Sequence, residues 1–328
     1  MAEISTTTQF VTLDDIRAAA ERIRPLARVT PLVDVSEAAH RPLFLKCENL
    51  QPAGAFKIRG AFNMVAQLTA AERKAGVITY SSGNHGQAMA LAARTLGAPA
   101  VVVMPTTAPA IKVEGAKAFG AEVIFAGTTS ADRRTRAEAE ATARGLTMVP
   151  PFDHEWIVAG QGTAGLEILE QCPDVAAVLV PVGGGGLVAG VAAAIKQVRP
   201  AVKVIGVEPA GAAKMKASVA AGHPVTLPST ATVADGLMPV RPGDITFAHV
   251  QRFVDAVVTV EDEDIIAAVL WIFRNAHLVA EPSGAATTAA ALSATFAITA
   301  GLGAIEGPIV AIVSGGNMGV DKLAAWIR

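Results

Sequence analysis

Short runs of β-branched residues alternate with alanine-rich stretches of helical periodicity along most of this chain, and that alternation confines it to the α/β class. Val77–Tyr80, Ala100–Met104 and Glu122–Phe125 read as strands, separated by helices near Asn84–Leu96 and Ala110–Phe119. The order recurs later, with strands at Ala177–Val182, Lys203–Glu208 and Pro308–Val313 and helices at Leu187–Val198, Glu261–Asn275 and Gly284–Ala300. Ahead of both blocks stand a helix opened by a Thr12/Asp15 capping pair, with Leu13, Ile16, Ala20 and Ile23 at helical spacing, and a short strand at Leu43–Cys47. Short apolar strands between helices belong to parallel sheets covered on both faces. The expected fold is therefore α/β, with two open, twisted, mostly parallel sheets in two lobes and a ligand cleft between them.

Composition narrows the function. Hydrophobic residues make up 52% of the 328 and charged ones 17%, against about 25% charged in an average globular chain. The surplus apolar surface calls for large covered sheets or a subunit interface. A net charge of -2 and 5% aromatic residues supply neither an electrostatic footprint nor stacking platforms for nucleic acid. Cys47 and Cys172 sit in no disulfide framework or zinc spacing, which fits a reducing cytoplasm. The uncharged stretch Val175–Ile195 has the length of a membrane span, but Pro181 and four glycines interrupt it. Met1–Thr12 is polar, so no signal peptide is expected. A cytoplasmic enzyme acting on a small molecule, with no nucleic-acid or membrane partner, is the class that remains.

Three strand ends carry glycine-rich loops. The first, Gly183-Gly-Gly-Gly186, lies between a strand and the helix opening at Leu187. Backbone N–H groups free of a Cβ, together with the helix dipole, make an anion site there, and a phosphate is its natural tenant. Gly184, Gly186 and Ala189 also satisfy G-x-G-x-x-A, with Glu208 near the position of a ribose-binding acid, so a nicotinamide-dependent oxidoreductase is the rival reading of this segment. The second loop, Ser81-Ser-Gly-Asn-His-Gly86, suits a carboxylate, and Ser82 or Asn84 would also cap the following helix. The third is Ser314-Gly-Gly-Asn317. Together they place one polar small-molecule site along the carboxyl edges of the sheets.

Lys57 follows a glycine turn and lies between Phe56 and Ile58. An amine desolvated among apolar neighbours has a larger neutral fraction and forms Schiff bases readily. A lysine, a phosphate cradle and a carboxylate cradle together describe pyridoxal phosphate chemistry.

Seven ordered motifs carry a family resemblance: LKCENLQPAGAFKIRGA at Leu45–Ala61, SSGNHGQA at Ser81–Ala88, AGQGT at Ala159–Thr163, VGGGGL at Val182–Leu187, ADG at Ala234–Gly236, EPSGA at Glu281–Ala285 and SGGN at Ser314–Asn317. In this the chain resembles the threonine dehydratase/serine racemase family of fold-type II pyridoxal 5'-phosphate enzymes, whose fold is that of the tryptophan synthase β subunit. The likeness is to members without a regulatory domain. It implies a large cofactor-binding domain from residues 1–75 and 153–328, a small substrate-binding domain from 76–152, and a homodimer.

The implied activity is dehydration and deamination of a small β-hydroxy amino acid, L-threonine or L-serine, to a 2-oxo acid and ammonia; amino-acid racemisation and hydroxyaspartate dehydration are the alternatives. Lys57 would be the Schiff-base lysine and general base, with Phe56 against the cofactor ring and Asn84 at its hydroxyl. Gly183, Gly184, Gly185, Gly186 and Leu187 would hold the phosphate and Ser314 the ring nitrogen. Ser81, Ser82, Gly83, Asn84 and His85 would surround the substrate carboxylate, Ser82 also handling a proton across the cofactor plane from Lys57. A hydroxyl at the ring nitrogen, unlike a carboxylate, does not keep that nitrogen protonated, so the ring is a weaker electron sink and elimination is favoured.

Four positions depart from the pattern or are ambiguous within it. Tyr80 and Trp156 either shape substrate preference or fill core. Arg133 aligns with an arginine near the substrate mouth of racemase relatives but sits in Asp132-Arg-Arg-Thr-Arg136, where a solvated helix face is the simpler expectation. The racemase-like pattern also includes a divalent-cation site that needs a strand-end carboxylate and a second acid. Here Glu208 is present, but Lys214 stands at the second position, so no metal is expected; its ammonium either reaches Glu208 or points into solvent.

Overall fold

The computed structural model describes residues 10–81, 83–108, 110–293 and 305–327. Among the described residues ten strands form two sheets: β1 (Leu32–Asp34), β2 (Leu43–Lys46), β3 (Val77–Tyr80), β4 (Ala100–Met104), β5 (Glu122–Phe125), β6 (Thr147–Met148), β7 (Ala177–Pro181), β8 (Lys203–Pro209), β9 (Ala256–Val260) and β10 (Ile309–Ile312). A six-stranded sheet runs β1-β2-β10-β7-β8-β9 and a four-stranded sheet runs β5-β4-β3-β6. All pairings are parallel except β1 with β2. The expected class, α/β with two mostly parallel sheets, is what the chain adopts.

The strands read from sequence recur with ends moved by one residue at most. β4, β7 and β10 are buried along their whole length, which is why they appear as unbroken apolar runs. The first helix, Leu13–Ile23, carries the expected Thr12/Asp15 capping box. The last long helix spans Pro282–Leu292; the part of the expected Gly284–Ala300 helix from 294 onward lies outside the described residues.

The helices Glu155–Gln171 and Lys57–Gln67 are not read from the sequence, whereas Gly186–Val198 is, as Leu187–Val198. Glu155–Gln171 and Gly186–Val198 cross in the interior, where a Cβ on Gly162 would come within 2.9 Å of the Gly190 carbonyl. The helix Lys57–Gln67 packs against both Glu155–Gln171 and Asn84–Thr95. Because Ile58 to Val65 are buried all round, no amphipathic stripe announces this helix. The carboxyl ends of β3, β7 and β10 lead directly into the loops at Ser81, Gly183 and Ser314.

Candidate active site

Lys57 reaches the site through a tightly held approach. Ala53 and Gly54 both take positive φ, at 62° and 70°, and turn the chain. Ala55 then pairs with Gly315 in an isolated antiparallel bridge, and the Phe56 amide donates to the Ser314 carbonyl at 3.0 Å. Lys57 begins its helix at that point, with Nζ 5.1 Å from the Phe56 ring centroid and donating to the Pro151 carbonyl at 2.7 Å. Burial pulls its ammonium down to about 8, so a substantial neutral fraction exists near neutral pH.

Two residues further along, Arg59 anchors the helix. Its guanidinium is almost wholly buried and grips Glu48 at 2.7 and 2.8 Å and Glu167 at 2.7 and 2.8 Å. Lys46 closes the network on Glu167 at 2.6 Å. Four charges are thus held beneath Lys57 with every guanidinium nitrogen paired. Sequence reading quoted Glu48 and Arg59 within a motif and gave them no role, although two opposite charges in an apolar segment are the signal of a buried pair.

The glycine loop passes a direct test of fit for a phosphate. Gly184 to Leu187 are buried, and among the described residues the N–H groups of Gly183 to Leu187 have no protein acceptor. Five such donors at a helix N-terminus are uncompensated without an anion. The loop is aimed from outside: Gly185 takes φ 100°, and the Gly184 carbonyl accepts from Thr246 Oγ1 at 2.7 Å and from the Gly243 amide at 3.2 Å. Phe152 lies over the loop, so that a Cβ on Gly184 would run into its ring. Next to it, Asp153 caps the helix Asp244–Phe253 by accepting from the amides of Asp244, Ile245 and Thr246 at 3.0–3.2 Å. Neither Phe152 nor Asp153 was singled out from sequence; their placement is a product of packing.

The rival dinucleotide reading loses its acid here. Both Glu208 oxygens accept from the helix N-terminus at Met215 and Lys216, each at 2.9 Å, and Lys214 pairs with the same carboxylate. With its side chain wholly buried and engaged by these donors, Glu208 does not face a ribose.

Asn84 joins the other two loops. Its Nδ2 donates to Glu281, its Oδ1 accepts from Asn317 Nδ2 at 2.9 Å, and the Glu281 amide donates to the Gly315 carbonyl at 3.0 Å. Burial, helped by the charge of Asp235, raises the Glu281 carboxyl to about 7. His85 is buried with Nε2 3.0 Å from the Val149 carbonyl, and burial together with the Lys57 charge pushes it down to about 3. The ring is therefore neutral with its proton on Nε2, and Nδ1 is a buried acceptor with no partner among the described residues. Ser81 Oγ accepts from the Gly83 amide at 3.3 Å, and Ser314 Oγ lies 3.3 Å from the Ser283 carbonyl. Ser82 lies outside the described residues.

Residues 23–315 match the family described as pyridoxal-phosphate dependent enzyme. The chain belongs to that family. It is 42% identical over 318 residues to an L-threonine ammonia-lyase of Thermotoga maritima, covering 96% of this chain and 77% of the relative. To a serine racemase of Oryza sativa subsp. indica it is 40% identical, over 96% of this chain and 92% of the relative. The structure of maize serine racemase superposes with a TM-score of 0.93 at 39% identity, covering 97% of each chain. Pyridoxal 5'-phosphate is accordingly the cofactor, and the fold is that of fold-type II pyridoxal-phosphate enzymes.

The departures resolve differently from one another. Tyr80 and Trp156 both pack against hydrophobic clusters, Trp156 also accepting at its carbonyl from Asn63 Nδ2 at 2.6 Å, as core-filling residues do. Arg134 and Arg136 lie on a solvated helix face, paired with Glu138 and Glu140. Arg133 does not follow them, since it is half-buried, bonded to Ser130 Oγ at 2.8 Å, with its Nε enclosed.

Proposed function

We propose that this pyridoxal-phosphate enzyme is an ammonia-lyase that dehydrates and deaminates L-threonine or L-serine to a 2-oxo acid and ammonia. Bound pyridoxal phosphate supplies an aldehyde that condenses with amines and a ring that draws electron density from the substrate Cα. In this reading Lys57 anchors the cofactor at rest and, once freed by the incoming amine, takes the Cα proton on Nζ. Its depressed pKa suits a base working near neutrality. The N–H groups of Gly183, Gly184, Gly185, Gly186 and Leu187 bind the phosphate, Phe56 lies against the ring, Asn84 faces its hydroxyl and Ser314 its nitrogen. Ser81, Ser82, Gly83, Asn84 and His85 receive the substrate carboxylate, and Ser82 is the chain's own donor for the departing hydroxyl.

The observation that carries elimination over slower-proton chemistry is Ser314, a neutral hydroxyl at the end of β10. Without a carboxylate there, the ring of a bound cofactor would be a weaker electron sink, which favours elimination. Residues 76–152, which contain all of the four-stranded sheet, would form the substrate-binding domain, and residues 1–75 with 153–328 the cofactor-binding domain. A cytoplasmic location fits two buried, unpaired cysteines, and a homodimer is what the family resemblance implies.

Racemisation is the second reading, supported by the likeness to the rice serine racemase. The deciding experiment measures 2-oxo acid release and chiral inversion across L-serine, L-threonine, D-serine and hydroxyaspartate. Release from L-threonine or L-serine well above inversion is the expected result. Inversion faster than release from every substrate would replace the lyase reading with the racemase one.

A further inference from the structure

Lys214 and Glu208 form an ion pair at 3.0 Å in which both side chains are wholly buried. The ammonium faces three more oxygens, the carbonyls of Val182 at 2.7 Å, Leu237 at 3.0 Å and Ala212 at 3.2 Å. A neutral amine has two N–H groups for these four oxygens, whereas the ammonium has three and a full positive charge to set against all four. Burial lowers the lysine from its ordinary value and Glu208 draws it back up.

Two of these carbonyls abut the cofactor loop. Val182 directly precedes Gly183. Leu237 directly follows Gly236, whose carbonyl sits so close to Gly183 that a Cβ there would lie 2.9 Å from it. The cation therefore holds the loop at its root through Val182 and also the Gly236–Leu237 segment packed against Gly183. The divalent-cation site implied by the family resemblance does not fit this arrangement, because an ammonium stands where a carboxylate ligand would have to be. Among the described residues no cluster of three or more His, Cys, Asp or Glu offers another metal site.

We propose that the Lys214 ammonium is a built-in cation that sets the Val182 and Leu237 carbonyls and so aims the Gly183–Leu187 N–H groups, making Lys214 a positioning residue for the cofactor phosphate and cofactor retention independent of divalent ions. The inference concerns cofactor retention and is separate from the choice between lyase and racemase.

The test measures cofactor release from the holoenzyme by dialysis and absorbance, with chelator or with millimolar magnesium or calcium. The wild type should lose cofactor at the same rate in all conditions. Lys214→Ala, which leaves an ammonium-sized hole lined by the four oxygens, should bind cofactor about tenfold more weakly and recover in part with added ammonium or calcium. Lys214→Met fills the hole with an apolar chain, so it should weaken binding without recovering. Should either variant fail to fold, Glu208→Gln/Lys214→Met removes the stranded carboxylate and is measured the same way, with weakened binding expected. Chelator-induced cofactor loss in the wild type, or cofactor binding of wild-type strength in a folded Lys214→Met or double variant, would overturn the proposal. Failure of Lys214→Ala to respond to any added cation would do the same.

Discussion

Asn84 donates its side-chain amide to Glu281 across 197 residues of chain, and this bond ties the loop after β3 to the start of the helix Pro282–Leu292. The Glu281 carboxyl titrates at about 7 in the folded protein, raised from 4.5 first by burial. A folded pKa above the unfolded one means that stability is fully present below about pH 4.5 and is lost as pH rises through about 7. Over that window the loss amounts to about 3 kcal/mol. Glu281→Gln keeps an acceptor for Asn84 and does not titrate, so its urea midpoint relative to wild type should climb from about pH 5 to about pH 8. Parallel pH profiles for the two proteins would count against a titrating Glu281.

Lys57→Ala should leave a folded protein that binds pyridoxal phosphate without covalent attachment. Borohydride reduction of the wild type followed by peptide mapping should return the Lys57 peptide. Because the free amine titrates near 8, covalent capture of cofactor by the stripped enzyme should quicken as pH rises toward that value. A trapped peptide lacking Lys57 would refute the assignment.

Gly184→Val puts a branched side chain into the space of the Phe152 ring. Displacing the loop breaks hydrogen bonds from N–H groups to a charged oxygen, each worth roughly 1.5–3 kcal/mol. Cofactor affinity should fall by at least about tenfold, read by fluorescence titration. Affinity equal to wild type would mean that the phosphate is held elsewhere.

Arg59→Met strands Glu48 in the interior without its counter-charge and leaves Glu167 with Lys46 alone. Removing one partner from a buried ionic network costs about 3–5 kcal/mol, and the loss should appear as a lower urea midpoint. Adding Glu48→Gln to Arg59→Met should restore part of that loss. No recovery in the double variant would show that lost packing, not stranded charge, is the cost.

How much of this was legible beforehand varies with the range of the interaction that decides it. β3, β4 and β5 match their sequence-read spans residue for residue, because a β-branched run between turns is decided by neighbours a few positions away. The Gly183–Gly186 cradle was equally visible, since a strand, a glycine turn and a helix N-terminus are contiguous. The helix that opens at Lys57 was not, because Arg59 and Asn63 are buried together with its apolar residues, so its polar positions do not mark a solvent face.

Sequence by itself determined the α/β alternation, the three glycine-rich loops at strand ends and the lysine in its glycine-flanked apolar segment, all of them properties of short contiguous segments. Only the tertiary structure decided which charges meet. Arg59 and Glu167 are 108 residues apart, and Lys214 had two destinations until the end of β8, the root of the glycine loop and Leu237 closed four oxygens around it. The reason is physical: a strand or turn draws its free energy from adjacent residues, whereas a buried charge is tolerable only where distant segments converge to satisfy it.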